Sequence, residues 1–119
     1  MILVDTSVWI EHLRTAKSGL EAALDDGEVL MHPLVFGELA CGNIANRRVF
    51  LDLMHDLPLA QEASHEEAMT LIEKRRLMGR GIGYIDVQLL AATAITPLAR
   101  FWTFDRRLAK IAAELGIGV

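Results

Sequence analysis

The stretch MILVDTSVW, residues 1–9, sets an acidic side chain at the end of an apolar run four residues long. Met1 to Val4 is branched and hydrophobic enough for a buried strand, and Thr6 and Ser7 can cap a helix beginning near Val8. Asp5 therefore stands at a strand-to-helix junction, where the strand delivers its side chain to a rim. A carboxylate beside a core is costly unless it is hydrogen-bonded, paired or bound to a metal.

Beyond this stretch the first helix reads to about Ala16, with Trp9, Ile10 and Leu13 as its apolar face, and a second short helix spans Gly19 to Leu24. Glu28 to Met31 reads as a strand. Pro33, lacking only a donor that a first helical turn leaves unused, opens a helix through Ala40 that carries Glu38. Val49, Phe50, Leu53 and Met54 form a helical stripe ending near Leu57-Pro58. Ser64 and Glu67 have the spacing of a capping box, so a helix runs from there towards Met78 with Ala68, Leu71 and Ile72 inward. The glycine-rich GRGIG, residues 79–83, interrupts the pattern, and YIDVQLLAATAI resumes it with Ile85, Leu89, Ala92 and Ile95 as burial candidates and Asp86 in the first turn. ARFWTF then reads as a strand ended by Asp105, and RRLAKIAAEL as a closing helix. Strands alternating with helices predict an α/β, three-layer fold, a mainly parallel central sheet with helices on both faces.

With 119 residues, 52% of them hydrophobic, the chain can bury one ordinary core, so a single domain over 1–119 is expected. No apolar stretch is long enough for a membrane span, and Asp5 and Glu11 stand where a secretory leader carries basic residues, which makes the expected location cytoplasmic. The lone Cys41 cannot form an internal disulfide and reads as a small buried helix residue. The balance of 12 Lys and Arg against 16 Asp and Glu does not exclude nucleic acid. If four carboxylates share a cation-binding pocket, 16 minus 4 leaves 12 against 12, and local arginine clusters can still track phosphates.

Four acids fit such a pocket. Asp5 and Asp105 end strands, and in a parallel sheet the functional crevice lies outside the carboxyl ends of the strands. Glu38 and Asp86 lie on helices that follow loops. Each also has a plainer role open to it: Asp5, Asp86 and Asp105 as helix caps, Glu38 as a solvated helix residue. Four converging carboxylates repel one another, and a divalent cation removes the conflict. Hard oxygen ligands suit Mg²⁺ or Mn²⁺, while the scattered His12, His32, His55 and His65 and the single cysteine argue against a structural zinc site. His32 reads as a loop or packing residue. Lys74, Arg75, Arg76 and Arg80 precede the third acid, and Arg106 and Arg107 follow the fourth; of these Arg80, Arg76 and Arg106 are the candidates for gripping phosphates.

The stretches LVDTSVWIEHL, HPLVFGELACG, GIGYIDVQLLAAT and FWTFDRRL resemble the successive acidic motifs of PIN-domain nucleases, and the size is similar to that of the ribonuclease toxins of VapBC toxin–antitoxin pairs. The likeness covers nearly the whole chain. It implies a PIN-like fold and metal-dependent endoribonuclease activity, with Asp5, Glu38, Asp86 and Asp105 as catalytic, metal-holding residues and Thr6 and Thr103 as supporting hydroxyls. It further implies an RNA substrate, a small cognate antitoxin and a homodimer. The chain departs from relatives at Gly83-Tyr84-Ile85, where a small hydroxyl residue is often found. Alternatives are a non-toxin PIN-type nuclease and a catalytically inactive, metal-binding interaction domain. A phosphotransferase using Asp5 as nucleophile is disfavoured, because Ser7 stands where a second aspartate belongs.

Overall fold

The computed structural model describes residues 1–15 and 18–119; Ala16, the expected end of the first helix, lies outside the described residues. Among the described residues the elements run β1 (Ile2–Val4), α1 (Thr6–Thr15), α2 (Leu20–Asp25), β2 (Val29–Leu30), α3 (Pro33–Ala40), α4 (Arg47–His55), α5 (His65–Arg75), α6 (Tyr84–Ile95), β3 (Arg100–Trp102) and α7 (Arg106–Glu114). The strands form one parallel sheet in the order β2-β1-β3, with Leu3 opposite both Leu30 and Phe101. Parallel bridges from Met31 to Leu59 and from Phe101 to Gly118 extend both edges. Leu3 and Val4 on the central strand are fully buried, as a parallel sheet covered on both faces requires.

This strand order locates the site. The chain leaves β1 in one direction to reach β2, then returns past β1 to place β3 on its other side. Right-handed crossovers running in opposite directions lay their helices on opposite faces, and the reversal opens a crevice between the carboxyl ends of β1 and β3. Asp5 follows β1 and Thr103 follows β3 at that crevice.

Local chemistry sets most helix starts. Ser64 Oγ accepts from Glu67 N–H at 3.0 Å while Glu67 Oε1 accepts from Ser64 N–H at 2.8 Å, the expected capping box. The helix it opens stops at Arg75, short of Met78, because Arg76 turns into the left-handed region at φ 53°. At α3, His32 Nδ1 accepts from Leu34 N–H at 3.0 Å and Pro33 fills the first helical position. Burial lowers the His32 pKa against the opposing pull of Glu62, so the ring is neutral with its proton on Nε2, which is buried and has no partner among the described residues. The ring is a capping and packing residue.

Several burial expectations change in the folded chain. On α1, Trp9 is fully buried, but Ile10 is 55% exposed and Leu13 is exposed as well. On α4 the inward pair is Phe50 and Met54, four residues apart, which leaves Val49 and Leu53 on the outside. Leu89 and Ala92 lie in the core of α6, whereas Ile85, in its first turn, is exposed and Ile95, at its last residue, is only partly covered. Cys41 is exposed rather than buried, because it is the C-cap of α3, where the chain turns outward into Gly42.

Candidate metal centre

Asp5 continues the sheet with its backbone and opens the helix with its carbonyl: its N–H donates to Trp102 O at 2.8 Å, and its O accepts from Val8 and Trp9 N–H. The residue is 7% exposed, and among the described residues its carboxylate is held on one oxygen only. Ser7 Oγ and Thr103 Oγ1 each donate to Asp5 Oδ2 at 2.7 Å. Ser7 Oγ accepts in turn from Phe104 N–H, and Thr103 Oγ1 from Asp105 N–H, both at 3.0 Å. A hydroxyl has a single proton to give, so with both protons on Asp5 the 3.3 Å approach of Ser7 Oγ to Thr103 Oγ1 is close packing. Through these two hydroxyls the end of β1 orients the loop that carries Asp105.

The other acids follow the same pattern. Thr6 Oγ1, at the start of α1, donates to Glu38 Oε1 on α3 at 2.8 Å. Gly83 N–H donates to Asp86 Oδ2 at 3.0 Å, half of a capping box whose other half a glycine cannot supply. Asp105 caps α7, its Oδ1 accepting from Leu108 N–H at 3.0 Å. Among the described residues each of the four carboxylates thus has one oxygen held by the protein, leaving Asp5 Oδ1, Glu38 Oε2, Asp86 Oδ1 and Asp105 Oδ2 without a protein partner.

Electrostatics ties the four together. Burial raises the Asp86 carboxyl above the usual aspartate range, the Gly83 N–H opposes that rise, and the negative charges of Asp5, Asp105 and Glu38 each add to it. Among the described residues no three His, Cys, Asp or Glu side chains close to ligating spacing around one point. The four acids thus act on one another electrostatically, through Asp86. An all-oxygen donor set in a negative field is what hard divalent cations favour, and the residues fit one.

The arginines are placed less uniformly. Arg106 is exposed at the first position of α7, beside Asp105, and Arg76 is exposed at the end of α5. Arg80 is not a free fork: its Nη1 and Nη2 donate to Glu114 Oε2 and Oε1 at 2.6 and 3.0 Å. Two contributors escape the sequence reading. Ser7 reads there only as a helix cap, although its position two residues after Asp5 is the spacing for a side chain reaching back. Glu114 has no local signal at all, since its partner is 34 residues away.

A fold with its switch point at these acids is that of the PIN domain, whose family model matches residues 2–114; the chain belongs to that family. Two relatives from Mycobacterium tuberculosis, from strains CDC 1551 / Oshkosh and ATCC 25618 / H37Rv, are each called Ribonuclease VapC32. Each is 49% identical to this chain over 119 residues, covering 100% of it and 96% of the relative. The motif resemblance and the α/β fold class drawn from the sequence are both borne out.

Proposed function

We propose that this chain is a divalent-metal-dependent endoribonuclease, the toxin of a type II toxin–antitoxin pair, with Asp5, Glu38, Asp86 and Asp105 holding the cation. The observation that carries this reading is that, among the described residues, each of four electrostatically linked carboxylates has one oxygen held by the protein and one without a protein partner. Membership of the PIN family and near full-length kinship with proteins called ribonucleases support it.

When bound there, a cation such as Mg²⁺ or Mn²⁺ supplies the positive charge that makes water an effective nucleophile at neutral pH and offsets charge on the phosphodiester's departing oxygen. Asp5 and Asp86 would be the first residues to hold it, with Asp105 next. Glu38, anchored by Thr6, would hold a second cation or orient the attacking water. Ser7 and Thr103 keep Asp5 Oδ1 turned to the crevice by occupying Oδ2. Arg106 and Arg76 bind RNA phosphates. In-line attack by water leaves a 5′-phosphate and a 3′-hydroxyl.

The chain acts in the cytoplasm as a single domain, pairs with a second copy of itself, and is silenced by a small cognate antitoxin covering the acids. Expression alone should arrest growth, and co-expression with the neighbouring small gene should restore it. RNA cleavage without growth arrest would make the chain a non-toxin nuclease; cation binding without cleavage would make it an inactive module.

A further inference from the structure

Arg80 and Glu114 join two segments that each deliver one of the acids. Arg80 lies in GRGIG, flanked by Gly79 and Gly81 at φ of 72° and 83°, a left-handed backbone that glycine adopts without strain. Gly83 ends this loop and holds Asp86 by its N–H. Glu114 is the last residue of α7, whose N-cap is Asp105. Arg107, in the first turn of α7, lies directly over Gly81, where any added Cβ would run into its guanidinium and Cδ. Residues 107 and 114 are seven apart, two helical turns, and so lie on one face of α7. That face meets the loop at two points, through the Arg80–Glu114 pair and through the exposed Arg107 side chain lying against Gly81.

We propose that the Arg80–Glu114 pair and the Arg107–Gly81 contact form a clasp that sets the separation of Asp86 from Asp105, making Arg80 a positioning residue for the acids rather than a phosphate contact. The inference rests on the reading of those acids as cation holders. Both terminal nitrogens of Arg80 are engaged by both oxygens of Glu114, and binding a phosphate would forfeit that bidentate, charge-assisted pair. The pair is also partly exposed, with 30% and 45% of the two side chains accessible, and such pairs add little to global stability. Its removal therefore alters the geometry of the acids while leaving the fold in place.

The test uses the whole chain with Mn²⁺ alone as probe, free Mn²⁺ being counted by electron paramagnetic resonance, and RNA binding measured separately in EDTA. Arg80→Gln and Glu114→Gln should each weaken Mn²⁺ binding by about three- to tenfold, at or below the low end of what residues supporting a metal ligand typically contribute. Melting temperatures should hardly move, and RNA binding in EDTA should be unchanged by Glu114→Gln. The exchanged pair Arg80→Glu with Glu114→Arg should recover most of the Mn²⁺ affinity. Weakened RNA binding in Arg80→Gln with normal Mn²⁺ affinity, tighter RNA binding in Glu114→Gln, or no recovery in the exchanged pair would overturn the clasp alone. Failure of the wild-type chain to bind Mn²⁺ would overturn the four-acid reading and the clasp with it.

Discussion

Thr103 Oγ1 donates to Asp5 Oδ2 at 2.7 Å across 98 residues of sequence, and the same hydroxyl accepts the N–H of Asp105. One small side chain therefore orients two of the four acids, with Ser7 repeating the arrangement on Phe104. The crevice between β1 and β3 is defined by this pair of hydroxyls as much as by the carboxylates.

Thr103→Val keeps the shape and removes the hydroxyl. It leaves a buried Asp5 oxygen with one donor fewer and the Asp105 N–H without its acceptor, a loss of about 1–3 kcal/mol. Urea unfolding should show that loss, and cleavage should fall with it, because Asp5 and the Asp105 loop lose their common tie. Ser7→Ala should act in the same direction. Unchanged stability in Thr103→Val would mean that the hydroxyl is a bystander.

Asp86 gives a pH dependence with a definite sign. Its carboxyl is raised in the folded state, chiefly by burial and then by Asp5, Asp105 and Glu38, so folding takes up a proton between the unfolded and folded values. Metal-free stability is fullest below the ordinary aspartate pKa and is lost as pH rises through the folded one. Asp86→Asn should flatten that decline and raise the melting temperature in EDTA at neutral pH. Added Mg²⁺ should reverse the ranking, since the cation binds the ionised wild type. Identical pH profiles for the two proteins in EDTA would contradict the shared field.

Ser64→Ala separates structure from site. Loss of the capping box on α5 should lower stability by about 1 kcal/mol. None of the four acids lies on that helix, so Mn²⁺ affinity should stay at the wild-type level. A parallel loss of cation binding would show that α5 does more than support the fold.

Arg106→Ala addresses the substrate. As a phosphate contact it should weaken RNA binding across unrelated sequences and lower the salt dependence of binding by about one unit of slope. A slope equal to that of wild type would remove Arg106 from the RNA surface.

What could be read from the sequence was what local chemistry decides. The capping box at Ser64, Pro33 at the start of α3 and the glycine break before Tyr84 give element positions almost to the residue, because each is set by atoms a few positions apart. Asp5 and Asp105 could be assigned to one rim since both follow parallel strands, and the structure brings Glu38 and Asp86 into the same field. Partners distant in sequence left no trace. Arg80 reads as a lone cation among glycines until Glu114 is placed beside it. Cys41 reads as buried from its small size and apolar helical neighbours, but it is the C-cap just beyond Ala40, and the sequence does not show which way a cap residue faces. Ile10 and Leu13 read as core because apolar spacing alone does not say which side of Trp9 the sheet lies on.

On the proposed function, Asp5 holds through its free oxygen the cation on which RNA cleavage depends. The direct measurement is a divalent-ion titration of purified wild type and Asp5→Asn on a mixed cellular RNA pool, with the cut ends mapped. Asparagine keeps the shape and removes the charge. Wild type should cut only with Mg²⁺ or Mn²⁺ and leave 5′-phosphates, while Asp5→Asn should remain folded and make no cuts. Equal cleavage by the two proteins, or cutting that persists in excess EDTA, would rule out Asp5 as the cation holder.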